Sequence, residues 1–192
     1  MNKKMTTRTK QAIASKNKIY KCGEKLIQKY GFDSVTVEQI AKKAGVSVGT
    51  YYYYYESKMA LLREAFNKAD KYFLEQVEGK LTEAGCKKRI VEFFDIYADY
   101  TLKDGIDVIK KFYTSENKMF IVDGRGMQTV LTNIIKAGHK NNEISNDSAP
   151  EALTKMLFVV ARGIIFDWCL HDGKTDLKTQ MKEIMEIMTK QI

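Results

Sequence analysis

The sequence predicts an all-α protein, and three observations carry that prediction. The chain of 192 residues holds a single proline, Pro150, so little interrupts helical backbone. Apolar residues recur at three- and four-residue steps through most long segments, the period of one helix face. Glycine, serine and threonine stand between those segments, where helix stops and caps belong. With 44% hydrophobic and 29% charged residues, the composition is that of a soluble chain able to bury a core without disulfides or metals.

Residues 1 to about 8 read as a basic arm, in which Lys3, Lys4, Arg8 and, just beyond, Lys10 offer charge for phosphates. From there to Tyr30 the apolar positions Ile13, Ile19, Tyr20, Cys22, Leu26 and Ile27 mark an amphipathic helix. Gly31 stops it, and Phe32 is expected in the core. Thr36 begins the next helix: its hydroxyl can accept from the unpaired amides of the first turn, and Glu38 complements the dipole there. Val37, Ile40, Ala41 and Ala44 form its apolar face. Gly45 then permits a left-handed turn, Val46 anchors it, and Ser47 is a good cap for a third helix. A helix, a short turn with glycine, and a second helix starting on serine make a helix-turn-helix.

That third helix carries five consecutive tyrosines, Tyr51 to Tyr55. At about 100° per residue, Tyr51 and Tyr55 share one face and are expected inside, while Thr50 and Tyr53 lie opposite with Gly49 and Tyr52 flanking. Tyr54 is left between the two, and Val48 sits in a first turn that the wheel fixes poorly. A phenol facing outward can donate to a phosphate oxygen while its ring packs on sugar or a thymine methyl. The alternative is a purely aromatic core cluster or a low-complexity accident. Charge leans the same way as the outward reading. Residues 1–60 hold twelve of the 32 basic side chains and only four of the 24 acidic ones, leaving the remainder balanced. A polyanion-binding module on a neutral body has this asymmetry, although a solvated lysine-rich tail shares it.

Ser57 is a further cap, followed by a helix from Lys58 to about Gly79 with Leu61, Leu62, Ala65, Phe66, Ala69, Phe73 and Val77 as its stripe. Lys58 stands in a first turn, where the dipole disfavours a cation. Either it meets a phosphate together with the free amides, or it is an ordinary surface lysine.

The stretch from Ile19 through Leu62 resembles the N-terminal domain of the tetracycline-repressor (TetR) family of transcriptional regulators. The family pattern runs T-x-x-x-I-A-x-x-A-G-V-S-x-G-T-L-Y-x-Y-F-x-S-K; from Thr36 to Lys58 this chain reads T-V-E-Q-I-A-K-K-A-G-V-S-V-G-T-Y-Y-Y-Y-Y-E-S-K. The departures are Tyr51 for Leu and Tyr55 for Phe, both at positions the wheel turns inward. The resemblance implies that Ser47–Tyr54 enters the major groove of a double-stranded DNA operator. It implies phosphate contacts for Thr36, Tyr52 and Lys58, and base-edge proximity for Ser47, Val48, Thr50 and Tyr53, with Gly49 allowing close approach. A face so poor in Arg, Asn and Gln favours methyl, phosphate and shape readout. The expected division is a DNA-binding domain over residues 1–56 and an effector-binding and dimerisation domain over residues 57–192.

The body continues as helices: Lys87 to Leu102, a short Ile106–Tyr113, then the loop TSENK. The DGRG tetrad Asp123–Gly126 breaks and restarts a helix that runs to Lys140. With no strand before it and no GK[ST] after it, the tetrad is not a phosphate loop. Two long amphipathic helices close the chain, Pro150–His171 and Thr175–Ile192. Their apolar faces are broad enough either to close the monomer's own core or to pair with a second copy. The resemblance implies the second, a homodimer through the last two helices, which also suits a helix too short to read a selective site alone.

The resemblance further implies a pocket for a small-molecule effector among the central helices. Candidate lining residues are Phe93, Phe94, Tyr97, Tyr100, Phe112, Tyr113, Phe120, Met127, Phe158 and Trp168; each is equally readable as core. Arg162, Asp167 and either Asp95 or Asp99 interrupt apolar faces, so a mostly apolar or aromatic effector is expected, with a cationic one as the alternative. The function so read is a repressor released from a palindromic operator by its effector, with control by a protein partner as the alternative. A small helical enzyme is the reading from another class, and no nucleophile–base pair or converging carboxylates support it. No catalytic residue and no cofactor is assigned. Cys22, Cys86 and Cys169 are scattered, and His139 and His171 stand at no ligand spacing to them, so neither disulfide framework nor metal is expected. The basic N-terminus lacks the apolar run of a signal peptide, and no run spans a bilayer. The reading is cytoplasmic, without a membrane partner.

Overall fold

A computed structural model describes residues 6–145 and 147–192. The expected arm residues Lys3 and Lys4 lie outside the described residues, whereas Arg8 and Lys10 fall within the first helix. The described chain is helical throughout, and it divides into two compact units, one ending at Phe66 and one beginning at Asn67.

The first unit contains α1 (Thr7–Tyr30), α2 (Val37–Ala44), α3 (Val48–Tyr54) and the opening turns of α4 (Lys58–Tyr72). Each start is set by a side chain satisfying amides that have no partner within the helix. Thr6 accepts from Thr9, Thr36 from Gln39, Ser47 from Thr50, and Ser57 from Ala60. Gly45 takes the left-handed conformation at φ 66° that ends α2 and turns the chain into α3. Ile19, Tyr20, Ile27, Val35, Ile40, Ala41, Ala44, Leu61 and Leu62 make the core. Gly23 is buried within it, and a Cβ there would stand 2.7 Å from Leu61, so α1 needs glycine at this crossing. Ile13, expected on the apolar stripe, is exposed instead, because the first turns of α1 bury almost nothing.

In the second unit the last turns of α4 pass into a wider π-helical turn, Phe73–Val77, where the sequence predicts uninterrupted helix. Then follow α5 (Cys86–Asp104), α6 (Ile106–Phe112), a 3-10 turn (Lys118–Ile121), α7 (Gly126–Lys140), α8 (Pro150–Leu170) and α9 (Leu177–Lys190). Helix α5 packs on α9 and α7, and α8 packs on α7, α9 and α6. Pro150 opens α8 at the position where its missing N–H goes unneeded. Asp70 and Arg125 form an ion pair at 2.9 Å, mostly shielded from solvent, and Asp70 also accepts from the Met127 amide. Helix α7 is thus started by a carboxylate on α4.

Candidate nucleic-acid interface and effector cavity

The tyrosine helix divides as the wheel requires. Tyr51 is 0% exposed and its hydroxyl donates to the Ser57 carbonyl at 3.2 Å; Tyr55 is buried with its hydroxyl 3.4 Å from the Lys16 carbonyl. Burial pushes the Tyr51 phenol up to about 12 and raises that of Tyr55 as well, so both remain neutral donors. Tyr53 is 80% exposed and Tyr52 50%. Tyr54 is half-buried, its ring edge-on to Tyr53 at 4.9 Å. Thr36, Ser47, Val48 and Gly49 are exposed as well, and Thr50 half-buried. A Cβ on Gly49 would meet only the Ser47 hydroxyl, at 3.8 Å, so nothing in the fold requires glycine there.

Two polar residues of this group are tied to one another. Ser47 Oγ accepts from the Thr50 amide at 3.0 Å and lies 2.9 Å from the Thr50 hydroxyl, which fixes both side chains at the start of α3. Thr36 is held by a reciprocal box: it accepts from Gln39 N while Gln39 Oε1 accepts from Thr36 N at 2.9 Å. Gln39 was not singled out above, yet T-x-x-Q is the visible signature. Lys58 donates to the carbonyls of Phe32 and Val35, at 2.5 and 2.6 Å, and its ammonium lies 4.2 Å from the Phe32 ring centroid. Its charge at a helix start is therefore met by backbone oxygens, and it ties down the loop that delivers Thr36.

In the body, a cavity of about 660 Å³ opens between α7 and α8. The 3-10 turn supplies Phe120 and Ile121, α7 supplies Thr129, Thr132 and Lys136, and α8 supplies Thr154, Lys155, Phe158 and Arg162. The buried Thr132 and Thr154 hydroxyls bond to each other at 2.8 Å. Of the ten aromatic and methionine candidates, Phe120 and Phe158 border this space. Phe93, Phe94, Phe112, Met127 and Trp168 are buried side chains of the core. Tyr97 stacks edge-on to Phe158 at 5.8 Å, Tyr113 leans on Phe120 at 4.8 Å, and Tyr100 sits 5.3 Å from Tyr72. Among the charges expected to turn inward, only Arg162 reaches the cavity, donating to the Phe120 carbonyl at 2.6 Å. Asp95 and Asp99 instead share Lys178 at the α5–α9 surface, and Asp167 pairs with His171.

Comparison with known proteins bears on both parts. Residues 19–65 match the model of the bacterial regulatory proteins, tetR family. The fatty acid metabolism regulator protein of Bacillus subtilis is 25% identical over 170 residues, covering 85% of this chain and 88% of that protein. Residues 19–65 therefore carry the head of a TetR-family transcriptional regulator. Its fold is shared with B. subtilis FadR, solved in complex with stearoyl-CoA, at a TM-score of 0.70 and 21% identity, covering 91% of this chain and 98% of that one. Thermus thermophilus FadR, a repressor solved with lauroyl-CoA, gives a TM-score of 0.66 at 18% identity, covering 91% and 92%.

TetR-family regulators bind DNA and dimerise, and the last two helices of this chain present a surface suited to pairing. On α8, Val159, Phe166 and Leu170 are exposed at helical spacing, and Gly163 between them has open space above it. Ile187 on α9 is exposed too. The opposite faces, with Leu157, Ile164, Ile165, Met181 and Met185, are buried, so these helices close the monomer core and still leave an apolar stripe. Among the described residues no helix is long and apolar enough to cross a membrane.

Proposed function

We propose that this chain is a cytoplasmic repressor, not an enzyme, that binds a palindromic operator as a dimer and is released from it by a long-chain acyl-CoA. The carrying observation is that the likeness to the B. subtilis fatty acid metabolism regulator runs through the body as well as the head. In this reading Thr36, Ser47, Val48, Gly49, Thr50, Tyr52 and Tyr53 meet the DNA. That Gly49 answers to no neighbour in the fold supports a partner approaching from outside. Lys58 is read as the clasp of the Phe32–Val35 loop, with its remaining N–H available to a phosphate. Residues up to the early turns of α4 form the DNA-binding domain, and the rest senses the effector and pairs through α8 and α9.

The cavity supports an effector with an apolar chain and an anionic head. Its volume lies inside the range of about 300–1,000 Å³ common for ligand sites. Phe120, Ile121 and Phe158 offer apolar surface, while Lys155 and Arg162 offer positive charge suited to phosphates. An anionic head replaces the cationic effector considered from sequence. Gel-shift of DNA upstream of the coding sequence, with and without stearoyl-CoA, tests the reading. The expected result is a sequence-specific complex that micromolar stearoyl-CoA dissolves. Absence of the complex counts against the operator there, and a complex indifferent to acyl-CoA counts against the effector.

A further inference from the structure

Among the described residues of the body, several buried polar side-chain atoms have no hydrogen-bond partner, and one of them lies close to the cavity wall. The Tyr113 hydroxyl is shielded from solvent and makes no hydrogen bond. Leaving such a group unpaired costs about 1–3 kcal/mol, so native proteins seldom do so without a use for it. Its surroundings are informative. The Tyr113 ring packs 4.8 Å from Phe120, and Phe120 lines the cavity. The Tyr97 ring packs 5.8 Å from Phe158, which lines it too. The Tyr97 and Tyr113 hydroxyls stand near one another and both feel the positive charge of Arg162, yet their contact falls short of good hydrogen-bonding geometry. Burial raises both phenols, keeping them neutral donors at physiological pH. Two donors and a guanidinium therefore stand directly behind the wall made by Phe120 and Phe158. From the cavity side Arg162 clasps that wall, donating to the Phe120 carbonyl at 2.6 Å.

We infer that the cavity extends past Phe120 to Tyr113, whose hydroxyl donates a hydrogen bond to the acyl oxygen of the bound effector. The inference rests on the acyl-effector reading above and adds the residue that recognises the oxygen. The shared chemistry is a carbonyl-type acceptor at the end of an alkyl chain, carried either by a thioester or by a free carboxylate. Phe120 shields the hydroxyl when the site is empty and turns aside when the chain enters. Arg162, released from the Phe120 carbonyl or shared with it, adds charge beside the same oxygen. A site built to bond an oxygen rejects the ligand lacking it, because the buried donor then stays unpaired.

Calorimetric titration of the purified full chain with lauroyl-CoA, dodecyl-CoA (the thioether without the carbonyl) and laurate tests this. The wild type is expected to bind lauroyl-CoA about tenfold more tightly than dodecyl-CoA. Tyr113→Phe should erase that preference while leaving dodecyl-CoA affinity unchanged and the melting temperature of the empty protein no lower than wild type, since the unpaired hydroxyl is removed. If laurate binds, loses about tenfold in Tyr113→Phe, and the two CoA ligands are equal, the oxygen is that of the free acid and the inference holds. Affinities within twofold of wild type for all three ligands in Tyr113→Phe overturn it while leaving the acyl effector in place. Should none of the three bind the wild type, the effector reading fails and takes this inference with it. A second measurement needs no variant: the isotope-edited infrared carbonyl stretch of the ligand that binds should move to lower frequency on binding. An unmoved stretch overturns the assignment.

Discussion

The head and the body each hold an aromatic cluster, and the two are used in opposite ways. Along α3 and its C-terminal cap five tyrosines follow one another, and the helix sorts them: Tyr51 and Tyr55 turn under, while Tyr52 and Tyr53 stand in solvent. In the body, Phe73, Phe93, Phe94, Tyr97 and Phe158 come from three separate segments and converge, mostly edge to face. A run of rings along one short helix cannot be a core, because half the helix circumference faces away from it. Rings brought together from distant segments are a core unless space is left between them. The lesson is that aromatic content says little until the number of packed sides is known.

Substitutions can break or sharpen this contrast. The largest expected effect is that of Tyr51→Ala, which removes a fully buried ring from a small head and should cost about 3–5 kcal/mol, read by denaturant unfolding. Lys58→Met comes next, since it leaves the Phe32 and Val35 carbonyls without their donor; about 1–3 kcal/mol should be lost in the same assay. Tyr53→Ala should leave stability within about 0.5 kcal/mol of wild type. Its effect belongs in operator affinity, where a gel-shift should show a weakening of about tenfold. A stability loss in Tyr53→Ala as large as that of Tyr51→Ala would erase the distinction between the two faces. The smallest effect is present at neutral pH and vanishes in acid. Burial pushes the Glu92 carboxyl upward, but bonds from the Thr82 and Glu83 amides and the Thr82 hydroxyl outweigh it, so its pKa is lowered on folding. A lowered folded value means the contribution is present above the ordinary carboxylate range and is lost as pH falls through the folded one. Glu92→Gln should therefore lower the neutral plateau of melting temperature slightly and flatten its decline toward acid, where variant and wild type converge.

What the sequence made legible follows physical range. The caps at Thr36, Ser47 and Ser57 and the left-handed Gly45 act within three or four residues, so local pattern suffices to see them. The inward and outward tyrosines were legible because α3 has a single packed side. Lys58 was not, since its carbonyl partners stand 26 and 23 residues earlier. Asp95 and Asp99 looked like inward charges because periodicity cannot reveal that Lys178 waits on another helix. The Asp70–Arg125 pair and the π-helical turn at Phe73 escaped for the same reason: neither leaves a local signature. Nothing local separates the ten aromatic and methionine pocket candidates from core residues, and only the packing of α7 against α8 shows that Phe120 and Phe158 border the cavity.

The seven residues of α3, Val48–Tyr54, contain no charged side chain. If this helix reads the bases, the counterions released on binding come from elsewhere, from the lysines and arginine of α1 and the flanking turns. Ionic strength then acts on how tightly the protein holds any duplex, and hardly at all on how well it tells one duplex from another. Affinity and discrimination sit on separate parts of the head, so a change in cellular salt would alter occupancy across all sites in proportion while preserving their rank order.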